Sequence, residues 1–356
     1  MFRSLAALVV IGIALTGCSA AAPAPTTTGT ASTVPLSEVT PLADPAAYEG
    51  PSTATLVAET IAPVASAPAP DLPVTVTSHD LSGDTQVTVE SVDRVLGLSL
   101  SGAIAATIYG IGLGDSLVGR DVSTTMPEAA DLPVVTTGGH SINSESVIAL
   151  RPTLVITDGT IGPTDVVLQL RDAGIAVVFV NDEPSLEGIA SLSAQVAAAM
   201  GVPEAGAALA QRTADEIAAV ADEIATLVPE KRLRMAFLYL RGSAGIYYLF
   251  GEGSGADVLV DELGGIDVAK EIDWTGMKPM TDEALIAANP DVILVMTDGL
   301  ASAGGVDQLI ADKPAIGLTT AGKNRRFVDM ADGEILGFGP RFAGVLDALA
   351  RAIYAP

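Results

Sequence analysis

Glu145-Ser-Val-Ile-Ala-Leu-Arg-Pro152-Thr-Leu-Val-Ile-Thr-Asp-Gly159 and Glu283-Ala-Leu-Ile-Ala-Ala-Asn-Pro290-Asp-Val-Ile-Leu-Val-Met-Thr-Asp-Gly299 are two copies of one pattern. Each predicts a short helix, a proline that ends it, and a buried strand. Proline disfavours helical backbone in the residue before it, and the unbroken apolar run that follows suits a strand covered on both faces. A further helix follows each copy, Pro163 to Asp172 in the first and about Val306 to Ala311 in the second. The first copy then continues into a strand, Ala176 to Val180. Two α/β lobes therefore share one local plan, each with a central, mostly parallel sheet flanked by helices.

Working outward, Leu186 to Met200 and Pro203 to Leu227 are strongly helical, and proline suits a first helical position. The second of these runs about 25 residues without a breaker, roughly 35 Å at the helical rise, enough to cross a two-lobed protein. A single long rigid helix between lobes permits little hinge closure. The first lobe opens at about Asp71 with a hairpin, Val74 to Thr77 and Gln86 to Glu90 around Ser82-Gly83-Asp84. The second opens with a strand at Arg234 to Leu240 and its hairpin partner at Gly245 to Phe250, and closes with a helix from about Pro340 to Ala352. The predicted division is residues 71–201 for the N-terminal lobe, 202–229 for the linking helix and 230–356 for the C-terminal lobe.

Ahead of the lobes, Arg3 and the apolar run Leu5 to Leu15 form a secretory signal, too short to span a bilayer as a helix. Leu15-Thr16-Gly17-Cys18 resembles the bacterial lipobox, in which the cysteine is lipidated and becomes the mature N-terminus. Residues 1–17 would be removed, and acyl chains on Cys18 would anchor the protein. Residues 18–70, rich in Ala, Pro, Thr and Ser, read as a flexible tether with a reach of roughly 40 Å.

Cys18 is the only cysteine among 356 residues, so disulfides and thiolate chemistry are excluded from the folded part. The formal net charge of −25 argues against nucleic acid and against anionic membrane surfaces. No Gly-x-Ser-x-Gly elbow or paired-histidine motif supports an enzyme.

Histidine occurs twice. His79, in a polar stretch, reads as a solvated residue. His140 follows Thr136-Thr-Gly-Gly and precedes the first repeat copy, on the kind of strand-to-helix loop that lines a crevice in an open α/β lobe. By position it is either a ligand residue or a loop histidine. In the second lobe, period-2 alternation puts Tyr239 and Arg241 on one side of the strand. A cation beside a phenol favours the phenolate form. The alternative is a core tyrosine with a capping arginine.

Taken with the lobe–helix–lobe plan, Leu117-Val-Gly-Arg-Asp, Gly138-Gly-His-Ser-Ile-Asn, Tyr239-Leu-Arg-Gly and Gly276-Met-Lys-Pro resemble the class III substrate-binding proteins of ABC importers for iron chelates, haem and cobalamin. The resemblance is closest to the haem-binding lipoprotein receptors of actinobacteria and covers about residues 90 to 350. It implies ferric haem b as a transported ligand, held axially by His140 and Tyr239, with Arg241 orienting the tyrosinate. Where similar receptors carry a tyrosine this chain has Met277, either a porphyrin contact or a weak axial alternative. Met296 is either near the ligand or the end of a core strand. Arg120, Ser141, Asn143, Lys278 and Arg341 are candidate donors to the propionates. The resemblance further implies a monomer that docks on an ABC permease with its ATPase, through Glu128 on one lobe and Asp257 or Asp261 on the other, and that receives haem from upstream surface proteins. The same fold serving a ferric siderophore or a corrinoid is the alternative.

Overall fold

Both repeat copies fold as helix, left-handed residue, proline, strand. Helix Ser144–Leu150 ends at Arg151 (φ 48°) before Pro152, and helix Asp282–Ala288 ends at Asn289 (φ 38°) before Pro290. The strands that follow, Leu154–Thr157 and Val292–Met296, are the centres of two sheets in a computed structural model that describes residues 34–137 and 140–356. The signal segment, Cys18 and residues 18–33 of the expected tether lie outside the described residues.

In the N-terminal lobe, Leu154–Thr157 pairs in parallel with Val95–Leu98 and Ala176–Phe179, all buried but for half-buried Ala176. The hairpin of Val74–Asp80 and Gly83–Val89 leans on this sheet. Ser78 there accepts from Phe179 N at 2.8 Å, and Asp80 pairs with Arg171 at 2.5 Å. In the C-terminal lobe the strand order is Ser52–Thr53, Phe327–Met330, Val292–Met296, Arg234–Arg241, Ile246–Phe250, Met277–Pro279. The first four run parallel, and Ile246–Phe250 is antiparallel to both its neighbours, Arg234–Arg241 and Met277–Pro279. The fold is thus α/β with two lobes and a mostly parallel sheet in each.

Helix Pro203–Leu227 joins them. Ala205 and Leu209 belong to the N-terminal lobe's core, and Ile217, Ile224 and Leu227 to the C-terminal lobe's core. One helix therefore contributes to both cores. Gly206 has no side chain where a Cβ would lie 2.4 Å from that of Ala197, so this helix seats closely on helix Leu186–Ala199.

The chain between 34 and 70 departs from the tether expectation. Leu36, Ala54 and Leu56 are buried in the C-terminal lobe's core, and Ser52–Thr53 adds an outer strand to its sheet. Buried Arg326 donates to the carbonyls of Ala352 and Ile353 and to Ser52, with Tyr48 stacked 4.5 Å below it. The chain then crosses to the other lobe. Ile61 enters that core, Val64 N donates to Gly110 O at 2.8 Å, and Arg212 donates to Ala62 O at 2.6 Å. Backbone hydrogen bonds and a few isolated apolar residues, rather than a continuous apolar run, hold this strap. It is a second crossing between the lobes, and it gives the C-terminal lobe a strand from the beginning of the chain.

Candidate functional site

Parallel strands end on the side where an open α/β lobe takes ligands, and the two lobes bring those ends together. On the N-terminal side, Thr136–Thr137 and Ser141–Ile142 pair as a short antiparallel ribbon, which places His140 at its tip, exposed to solvent. Ile142 N and Asn143 N donate to Gly162 O and Val135 O and fix the base of the ribbon. Burial lowers the pKa of His140 below its usual value, the charge of Arg241 on the other lobe adds to this, and Asp332 opposes it. Neutral imidazole is the form that binds metal.

On the C-terminal side, Tyr239 and Arg241 share one face of strand Arg234–Arg241, as the alternation predicts. Tyr239 stacks on Phe250 with centroids 5.6 Å apart, and Phe250 stacks on Phe237 at 5.1 Å. The Arg241 guanidinium lies 4.4 Å from the Tyr239 ring centroid, over the ring face. Its Nη2 pairs with Asp332 at 2.9 Å and its Nη1 donates to Leu240 O at 2.8 Å. Among the described residues, neither the His140 ring nor the Tyr239 hydroxyl is committed to a hydrogen bond, so both are free to ligate.

Register sorts the remaining candidates. Met277 pairs with Phe250, and Met296 follows Val295, which lies beside Leu238; both methionines are therefore on the Tyr239 face. Met277 is 52% exposed, whereas Met296 is half-buried against the core. Lys278 pairs with Leu249 and so points to the opposite face, where it lies 5.9 Å over Trp274 and donates to Thr275. Asn143 is the N-cap of helix Ser144–Leu150, its Oδ1 accepting from Ser146 N at 3.0 Å, and Ser141 is exposed next to His140. Arg120 donates to the carbonyls of Asp121 and Thr124, and Arg341 is 3.6 Å from Glu334.

The expected docking acids separate in the same way. Glu128 is exposed, but its Oε1 accepts from Ile61 N of the strap at 2.7 Å. Asp261 is half-exposed and paired with Lys270. Asp257 is buried, accepting from Gly253 N and Gly255 N at 3.1 Å as it caps helix Ala256–Glu262. It is not available to a partner, which removes it from the docking set.

Two groups escaped the sequence reading. Asp332 is one. The other is the pair Asp158 and Asp182 at the N-terminal lobe's strand ends. Asp182 is pushed up to about 7, first by burial and then by the charge of Asp158, with Ser101 Oγ donating to it at 3.1 Å. Asp158 is raised as well, chiefly by burial. The signal was present: Asp158-Gly159, Asp298-Gly299 and Asp332-Gly333 each follow a buried strand. A cavity of about 480 Å³ lies beside Leu240, Tyr247, Gln308 and Lys313. Leu240 and Tyr247 face away from Tyr239, so it is separate from this cleft.

Two α/β lobes joined by one long interlobe helix define a class III binding-protein fold. The chain belongs to the periplasmic binding protein family, whose model matches residues 98–332. The fold is similar to that of the haem-binding protein HmuT, with a TM-score of 0.82 and 40% identity, covering 88% of this chain and 100% of that one. Structures of HmuT with an arginine, a histidine or a tyrosine replaced by alanine match equally well, with TM-scores of 0.82 to 0.84. Among curated proteins, an uncharacterized ABC transporter substrate-binding lipoprotein of Bacillus subtilis, YvrC, is 27% identical over 79% of this chain and 86% of its own. A cobalamin-binding protein of Halobacterium salinarum is 28% identical over 78% of this chain and 74% of its own. These are substrate-binding components of transport systems, not enzymes.

Proposed function

We propose that this protein is an extracytoplasmic receptor that captures ferric haem between its lobes, with His140 and Tyr239 as axial ligands, and passes it to an ABC permease and its ATPase. The observation that carries the reading is Arg241 stacked on Tyr239, with His140 on the other lobe supplying a second side chain of ligating type. The histidine, tyrosine and arginine replaced in HmuT stand at the same spacing as His140, Tyr239 and Arg241 here, which supports it. Ferric haem takes histidine and tyrosinate ligands, and an anionic oxygen ligand favours the ferric state found in an oxidising exterior. Met277 and Met296 would offer apolar surface to the porphyrin. Ser141, Arg120 and Arg341 are the remaining candidate donors for its propionates.

We place Glu128 and Asp261 at the permease. A lipid anchor at Cys18 would hold the receptor, as a monomer, at the outer face of the cell membrane, where upstream surface proteins would supply haem. Loss of palmitate labelling in Cys18→Ser tests the anchor.

Hemin titration of the purified protein tests the ligand. The expected result is a Soret band that is shifted or lost in His140→Ala and Tyr239→Ala. Affinity should fall by more than the roughly 10–100-fold that removing an outer-shell partner costs. A wild-type protein with no hemin-dependent spectrum sinks the reading. The cobalamin-binding relative favours one competing ligand class, the corrinoids. Cyanocobalamin bound tightly and equally by wild type, His140→Ala and Tyr239→Ala would establish it instead.

A further inference from the structure

We propose that Asp332 is a positioning residue for the tyrosine side of the cleft, holding Arg241 over the Tyr239 ring and tying that placement to the contact between the lobes; its consequence for haem rests on the receptor reading above. Both carboxylate oxygens are committed. Oδ2 accepts from Arg241 Nη2 at 2.9 Å, and Oδ1 accepts from Asp298 N at 2.8 Å. The second bond fixes the carboxylate to the first turn of helix Thr297–Ser302, which follows the strand beside that of Tyr239, so Arg241 is held by a group that is itself restrained.

The guanidinium has little room elsewhere. Its Nη1 is held on Leu240 O, and a Cβ at Gly299 would lie 2.9 Å from Nη1, so only glycine leaves that space open. Stacking on a half-exposed ring is a weak restraint on a long, flexible side chain, whereas a carboxylate fixes guanidinium geometry. Without Asp332 the side chain would be free to leave the ring for solvent.

Asp332 also sits at the junction of the lobes. A Cβ on the next residue, Gly333, would lie 2.8 Å from Ser123 O of the N-terminal lobe, and one on Gly339 would lie 3.2 Å from that of Ala103. The loop that carries Asp332 therefore packs backbone-close on the opposite lobe. The loop that holds Arg241 over Tyr239 is thus the same loop that packs on the N-terminal lobe.

Two measurements test this. In crystals of the ligand-free protein, Arg241 should leave the Tyr239 ring in Asp332→Ala; an unmoved guanidinium overturns the proposal whatever the ligand is. With hemin bound, Asp332→Ala should transfer hemin to apomyoglobin about 10–100-fold faster than wild type and shift the ferric charge-transfer bands. In an Arg241→Ala background the same substitution should change neither. A full, additive effect in that background, or a wild-type transfer rate in Asp332→Ala, overturns the positioning role. Absence of a hemin spectrum in wild type overturns the receptor reading instead and leaves the crystallographic test standing.

Discussion

In the N-terminal lobe the repeat strand Leu154–Thr157 delivers Asp158 to Asp182, and each carboxyl is raised in pKa. In the C-terminal lobe the matching strand Val292–Met296 delivers Asp298, whose backbone N–H holds Asp332 against Arg241. The same Asp-Gly after the same kind of strand thus ends beside an acid in one lobe and beside an ion pair in the other. Local sequence sets where a strand stops and which way its end points. The charge found there is set by the neighbouring strand end, Val180-Asn181-Asp182 in one case and Met330-Ala331-Asp332 in the other.

Where the copies are alike, they should respond alike, and the largest effects belong there. Ile156→Ala and Leu294→Ala both empty fully buried positions and should each cost about 2–5 kcal/mol in chemical denaturation. A marked asymmetry would break the equivalence of the two strands.

Where they differ, the Asp158–Asp182 strand ends should respond to pH. The folded-state value of Asp182, about 7, lies above the ordinary 3.8, so the folded protein binds this proton more tightly than the unfolded chain. The resulting stability is full below about pH 4 and is lost as the pH rises through 7. Asp182→Asn keeps a donor toward Asp158 without the titration. It should match wild type near pH 4 and melt about 4 °C higher at pH 8. Equal melting shifts at both pH values would break the assignment.

The smallest effects concern the helix starts. Asn143 and Thr281 cap the two repeat helices through Ser146 N and Ala284 N. Alanine at either should cost about 1 kcal/mol. Asn143→Ala should leave the hemin spectrum unchanged, because its side-chain oxygen is spent on the cap; a changed spectrum would return Asn143 to the ligand.

Much of this architecture was legible because its signals are local. Proline, apolar runs and helical periodicity located the two lobes and the linking helix, and strand alternation put Tyr239 with Arg241. The strap was not legible. Leu36, Leu56 and Ile61 stand singly in Ala-, Pro- and Thr-rich sequence, and each is buried only by surfaces built from distant parts of the chain. Asp257 misled for the same reason: an acid near the start of a helix reads equally as a docking charge or as a cap, and only its burial distinguishes the two.

The sequence by itself determined the helix–proline–strand units, the length of the interlobe helix and the residue types able to ligate iron, because each follows from backbone sterics or side-chain chemistry over a few neighbouring residues. Only the tertiary structure decided that the segment after residue 33 straps both lobes, that Asp158 meets Asp182, and that Asp332 holds Arg241 over Tyr239. Those are contacts between chain ends and loops far apart in sequence. Their partners are fixed by which strand lies beside which, and no local pattern encodes that.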